Sequence, residues 1–406
     1  MNVLICGAGV AGLTLAVCLE RHGHSVFIVE QAPQLRDDGY MIDFFGSGYD
    51  AMERLGLLGE LAAIHEPIRR IVFLDATGRQ RVSVPYAVLR KRLFRDRHVD
   101  FMRGSLERVL SRTLTTTTIR FGTTVDSYQE DDAHVCVRLS DGTTHIVDLL
   151  VGADGVHSRV RRLAFGEDRC VHVLDYEAVA FLVDSPTAGL DIGRDLVSVT
   201  APHHQVALYP TLGGRLATFF LHEIRANHGD ADHRSACSAL RQRYRDFRWI
   251  IPDVLDQCER STSMYVDRAE QVDLPRWSQG RVVFLGDACQ CVSPLAGQGA
   301  SMAVAGAYIL AELLSEGCDL STALAVYERT LKPTIKRQQA AARRIAHWFV
   351  PTSEWHFWMR NVVMRASVLP PVAAVLRRRM AAGSVFRRPI LPAGQPKTSW
   401  NWLPSR

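Results

Sequence analysis

The chain has 406 residues, 47% of them apolar and 22% charged, with a formal net charge of +5. This composition excludes a disordered, collagen-like or disulfide-stapled chain. The length exceeds the roughly 50–250 residues of an ordinary domain, so two domains with real cores are expected. The charge is uneven: residues 332–406 hold 14 Lys and Arg against one acid, a balance of +13, which leaves −8 on residues 1–331. Only four of the 48 basic residues are Lys, an Arg bias that reads as composition and not as nucleic-acid binding. Apolar runs fall short of the ~20 residues a bilayer span needs, and Met1 to Cys6 lead directly into a structured motif with no basic n-region, so no secretory signal is expected. Nine cysteines without a CxxC pair read as reduced thiols, so a cytoplasmic protein without transmembrane segment is expected.

In chain order, Asn2–Cys6 reads as a strand, Gly7-Ala8-Gly9-Val10-Ala11-Gly12 as a tight turn, and Leu13 to Arg21 as a helix of apolar period. A second strand, Ser25–Val29, ends in Glu30 and completes a βαβ unit. Gly46-Ser47-Gly48 precedes a helix over Tyr49–Leu57, strands follow at Ile71–Leu74 and Val82–Val84, and a helix at Arg103–Leu114. Three strands are predicted at Ile119–Asp126, Ala133–Leu139 and Thr143–Val151, the last running into Gly152-Ala153-Asp154-Gly155. From Val171 to Val266 the texture becomes strand-rich with one helical piece, His233–Phe247, as expected of a separate, mostly antiparallel sheet. Arg281–Leu285 is again a buried strand, ending at Gly286-Asp287. Helices are predicted at Gly299–Leu314, Thr322–Phe349 and Glu354–Arg378, before an irregular tail.

The first glycine turn lies between a strand and a helix, with an acid at the end of the next strand. Gly7 permits the tight turn, Gly9 lets backbone approach a pyrophosphate, and Gly12 allows close helix packing. The helix N-terminus offers N–H groups to phosphate. Glu30 suits ribose hydroxyls and would repel a 2′-phosphate, which favours FAD or NAD over NADP as the tightly bound nucleotide. Two further turns also end predicted strands: Gly152 to Gly155 with Arg159 and Arg161 beyond, and Gly286-Asp287 with Pro294-Leu295-Ala296-Gly297-Gln298-Gly299.

With these three motifs in this order, residues 1–345 resemble the class A FAD-dependent aromatic hydroxylases, the para-hydroxybenzoate hydroxylase type of flavoprotein monooxygenase. The stretch Asp38 to Asp43 with Gly46-Ser47-Gly48 is similar to the tetracycline-modifying and polyketide-tailoring branch. The resemblance implies an α/β fold: a Rossmann-like FAD-binding domain (1–68, 98–170, 278–345) and an interleaved, mostly antiparallel substrate-domain sheet (69–97, 171–277). C-terminal helices and a basic tail (346–406) complete the chain. It implies noncovalent FAD held by Gly7, Gly9, Ala11, Gly12, Glu30, Arg36, Arg103, Gly286, Asp287, Gly297 and Gly299, with Pro294 and Gly297 walling the flavin ring.

The same resemblance implies NADPH or NADH as a transient reductant, with Asp154 linking the flavin domain to nicotinamide. Arg159 and Arg161 either take phosphate charge or serve their own helix. The implied reaction is hydroxylation of an aromatic or polycyclic small molecule with O2 through a flavin C4a-hydroperoxide. Baeyer–Villiger or epoxidising oxygenation, a flavin dehydrogenase or reductase, and a non-catalytic FAD-fold protein remain as alternatives. No acid–base residue stands out. Tyr209, Phe220 and His222 are candidates for the substrate pocket, and strand alternation allows only one of Phe219 and Phe220 to face it. No His or Cys spacing suggests a metal. Cys289 and Cys291, two apart, should point to opposite sides. The basic C-terminal segment is expected to pack its tryptophans over the acidic body, an anionic-lipid surface being the other reading.

Overall fold

The computed structural model describes residues 1–387 except 36–39, 67, 167–169, 185–191, 225–232, 262–263, 294–296 and 381–383. Its first sheet has six strands in the order Ser278–Gln279, Val282–Phe284, Leu149–Gly152, Asn2–Cys6, Ser25–Glu30, Thr118–Phe121, parallel except at the first pair. Short apolar runs with β-branched residues, buried on both faces, form this parallel sheet because helices cover each side. The helices Val10–Arg21 and Gly299–Ser315 pack against each other, and Leu13, Leu15, Ile28, Leu150, Val283 and Ile309 share one core.

The second sheet has seven strands: Met264–Val272, Val171–Val183, Leu216–Glu223, His204–Pro210, Asp195–Ala201, Arg70–Asp75, Gln80–Pro85. All pairs are antiparallel except Asp195–Ala201 with Arg70–Asp75. One face packs on the helices His233–Arg243 and Ile251–Gln257 through Val179, Phe181, Val206, Phe220, Tyr244 and Val254. The other face turns toward the first domain. A three-stranded sheet (Val125–Glu130, Val135–Leu139, Thr144–Val147) and a two-stranded one (Met41–Phe45 with His98–Met102) complete the strands of the described residues.

Several expectations are corrected. The predicted strand Ile119–Asp126 is two strands in different sheets, because Gly122 takes φ +67 and turns the chain between them. Thr143–Val151 likewise divides into Thr144–Val147 and Leu149–Gly152. The long helix predicted at Glu354–Arg378 breaks into Glu354–Ala366 and Pro370–Met380, since Pro370 and Pro371 cannot continue the first helix's hydrogen bonds. Cys237 and Cys258 are joined in a disulfide, contrary to nine reduced thiols; both fall into the core under the large sheet with Cα atoms 5.9 Å apart, and a separation of 21 residues gave no cue. Cys289 and Cys291 do diverge, their thiols donating to Phe284 O and Glu270 O respectively.

Candidate active site

Because Asn2–Cys6, Leu149–Gly152 and Val282–Phe284 run parallel as neighbours, with Cys6 opposite Gly152 and Gly152 opposite Phe284, their C-terminal ends lie on one edge of the sheet. The three motif turns leave from that edge, which is where open α/β sheets bind ligands. Gly7 takes φ +111, and a Cβ there would stand 2.3 Å from Ala153 O; a Cβ on Gly12 would stand 2.0 Å from Gly7 O. Glycine at both is enforced by the protein's own backbone. At Gly9 the nearest atoms to a built Cβ are Glu107 Oε1 and Arg103 Nη2, at 3.9 and 4.0 Å, so the backbone faces open space.

That space is a continuous cavity of about 2000 Å³ between the two large sheets. Gly9, Ala11, Arg103, Asp154, Asp287, Gly297, Gly299 and Tyr209 line it. Gly9 caps the helix Val10–Arg21 with no side-chain hydrogen bond, leaving its first N–H groups to a ligand. Arg103 pairs with Glu107 at 3.2 Å; burial pulls its pKa down, but Glu107 and further anionic neighbours outweigh that and hold the guanidinium charged. Asp287 opens to the cavity beside Gly299, and burial raises its carboxyl pKa against the lowering effect of Arg103. A Cβ on Gly286 (φ +62) would press within 2.6 Å of Ala11 Cβ, which ties the third turn to the first helix.

Other expected residues hold different positions. Glu30 lies off the cavity wall at the end of its strand, where its carboxylate accepts Ala8 N at 2.7 Å and Ala32 N at 2.8 Å, next to the glycine turn. Asp154 lines the cavity, but its carboxylate is engaged by Ser158 Oγ, Arg159 N and Val160 N and caps the helix Arg159–Phe165. Arg159 pairs with Asp126, and buried Arg161 donates to Ala288 O and Val156 O, so both serve the fold. Arg36 and Pro294 lie outside the described residues.

Phe220 and His222 are corrected as pocket residues. Both project to the helix-covered face of the seven-stranded sheet: Phe220 stacks on Phe181, and His222 bonds Tyr244 and Glu177. Alternation puts Phe219 and Leu221 into the cavity instead. Tyr209, on the cavity face, accepts a hydrogen bond from Met41 N and stitches the sheet to the strand Met41–Phe45.

The sequence reading missed a polar cluster on that strand and its partner. Asp43 pairs in register with Asp100 and accepts hydrogen bonds from Tyr86 Oη (3.0 Å) and His98 Nε2 (3.3 Å); Tyr86 Oη also lies 2.8 Å from Asp100 Oδ1. His98 and Asp100 are fully buried, whereas Asp43 is 51% exposed, and the space it faces is the cavity. Burial alone would raise the Asp43 pKa, but bonds from His98, Asp100 and Tyr86 hold it down to about 2; Asp100, with no exposure and Asp43 beside it, is pushed up to about 9. The pair therefore shares one proton, kept on Asp100. Only the period-two pattern Met41-x-Asp43-x-Phe45 signalled this in the sequence, and that strand was not predicted.

The cavity's polar end has the groups a flavin dinucleotide requires: a glycine backbone in open space, a free helix start, a guanidinium and a carboxylate. Residues 1–339 match the family described as FAD binding domain. The chain belongs to this family. It is similar to a flavin-dependent monooxygenase of an unknown prokaryotic organism, at 29% identity over 347 residues, covering 84% of this chain and 88% of that protein. It is 30% identical to the aurachin C monooxygenase/isomerase of Stigmatella aurantiaca over 383 residues, covering 94% of this chain and 98% of the other. Among solved structures, the tetracycline destructase Tet(51) superposes with a TM-score of 0.78 at 26% identity, covering 92% of this chain and 97% of that one. This flavoprotein is therefore a FAD-dependent monooxygenase of the para-hydroxybenzoate hydroxylase type, as its three motifs implied. Among its described residues, no helix is long and apolar enough to cross a membrane.

Proposed function

We propose that this monooxygenase takes electrons from NADPH or NADH and hydroxylates a bulky aromatic or polycyclic molecule. The observation that carries the reading is the two-ended cavity. At about 2000 Å³ it exceeds the roughly 300–1000 Å³ of a usual small-molecule site, so it has room for a dinucleotide and a second large molecule. Its end away from the glycine turns is walled by Phe73, Leu89, Leu93, Phe94 and Leu376, with the Asp43 carboxylate as a charged acceptor. The tetracycline and aurachin enzymes to which the chain is similar are in keeping with a large substrate.

FAD, when bound, supplies the redox chemistry with O2. The chain's own residues bind, orient and shield. Gly9 N–H and the start of Val10–Arg21 would receive the pyrophosphate, Arg103 would balance its charge, and Asp287 would accept a hydrogen bond from a ribityl hydroxyl. The helix Gly299–Ser315 aims its positive N-terminal end at the flavin end of the cavity. Asp43, kept ionised, accepts a hydrogen bond from a substrate hydroxyl or N–H, while Phe219, Tyr40 and Tyr265 give the substrate an aromatic wall that excludes water. The test is NADPH and NADH oxidation by the FAD-loaded enzyme with candidate polycyclic phenols under ¹⁸O₂. The reading requires substrate-stimulated oxidation and one labelled oxygen in the product. Turnover under nitrogen with an artificial electron acceptor, and no label, would move the protein to the dehydrogenases.

A further inference from the structure

We propose that the outer face of the helices Glu354–Ala366 and Pro370–Met380 docks on an anionic phospholipid surface. Trp355 and Trp358 are 62% and 55% exposed and stack on each other with ring centroids 5.0 Å apart. Val362, Leu369 and Val375 are also exposed. With 3.6 residues per turn, Trp355, Trp358 and Val362 fall within about 60° of one another on the helix surface. Of the thirteen large apolar side chains exposed among the described residues, five lie between Trp355 and Val375. Solitary exposed apolar residues need no explanation, but a cluster with two tryptophans marks an interaction surface.

Charge identifies the partner. The two helices, residues 354–380, carry Arg360, Arg365, Arg377, Arg378 and Arg379 against one acid, Glu354, a balance of +4. A basic segment presenting tryptophan matches the interface of an anionic bilayer, where indole rings sit at headgroup level and Lys or Arg side chains are attracted to the lipid charge. A second copy of the chain placed face to face would bring two such basic segments together. The helix Glu354–Ala366 also lines the cavity, through Met359, Arg360, Val363 and Met364, and Val375 both lines the cavity and is exposed. Docking by the outer face therefore brings Val375, where the cavity wall reaches the surface, to the lipid.

Full-length, FAD-loaded protein should cosediment with vesicles of roughly seven parts phosphatidylcholine to three of phosphatidylglycerol at about 0.05 M salt, and several-fold less at about 0.5 M. It should not bind phosphatidylcholine alone at either salt. The double variant W355S/W358S should lose about tenfold or more of this binding while keeping its FAD absorbance. Should that variant fail to hold FAD, Val362→Asp on the same face gives the same reading. No binding to the anionic vesicles at low salt overturns the proposal, as does equal binding by the variants. Self-association in the absence of vesicles, abolished by W355S/W358S, would also overturn it and assign the face to a second copy of the chain.

Discussion

Gly9 and Gly12 belong to the same turn, yet the structure separates their roles, and Gly9→Ala makes the separation measurable. Gly9 has φ −77, which alanine adopts without strain, and a Cβ there would meet nothing closer than 3.9 Å. The apoprotein should melt within about 0.5 kcal/mol of the parent. The added methyl would occupy the space through which a phosphate reaches the helix N–H groups, removing at least one charge-assisted hydrogen bond of about 1.5–3 kcal/mol. At 1.4 kcal/mol per decade, FAD binding should weaken by about 10- to 100-fold. Gly12→Ala is different: its Cβ would lie 2.0 Å from Gly7 O and 3.2 Å from Ile5 Cγ2, so helix and turn must part, at about 1–3 kcal/mol of fold stability besides the lost affinity. Flavin fluorescence titration of deflavinated protein and thermal melts of the apoprotein read the two quantities. Near-parental FAD affinity in Gly9→Ala, or an apoprotein melt as low as that of Gly12→Ala, would refute the assignment.

Phe220→Ala should destabilise the fold by about 3–5 kcal/mol, because the ring is fully buried between Phe181 and Tyr244; Phe219 is half-buried at the cavity wall, and Phe219→Ala should lower melting clearly less and raise KM for substrate, so equal thermal shifts in the pair would contradict the placement of the cavity. At Glu20, burial alone would raise the pKa, but hydrogen bonds from Thr115, Thr116 and Thr117 outweigh it and lower the value from 4.5 to about 2. The folded state thus binds its proton less readily, and Glu20 stabilises above pH 4.5 and loses that contribution as pH falls toward 2. Glu20→Gln should lower the melting temperature at pH 7 and match the parent near pH 2. Asp100 has the opposite sign: its folded pKa of about 9 lies above the unfolded 3.8, so stability declines as pH rises through that interval, and Asp100→Asn should flatten this decline in melts taken from pH 4 to 9.

The sequence by itself determined the flavin half of the protein. A glycine turn leaves a local mark, a glycine-rich run after a short apolar strand and before a helical period, although only Gly12 avoids an atom of its own turn (Gly7 O), whereas Gly7 and Gly286 avoid Ala153 O and Ala11 Cβ, which the assembled sheet brings close. Three such turns in order were sufficient for the family, and Arg103 and Asp287, expected from the resemblance, line the cavity. The strand-rich texture after Val171 likewise announced the second sheet. Tertiary structure alone decided the substrate end. Phe219 and Phe220 are adjacent, and which one faces the cavity depends on the side the helix His233–Arg243 covers, a contact that period-two alternation leaves open. Asp43, Tyr86, His98 and Asp100 come from three separate segments, and Asp43 meets His98 and Asp100 only because the strand Met41–Phe45 pairs with His98–Met102. The same holds at the C-terminus: helical spacing predicts an apolar stripe, but whether tryptophan lies inward or outward is set by which face meets the body. Here Met359, Val363 and Met364 line the cavity, and Trp355 and Trp358 were left outside.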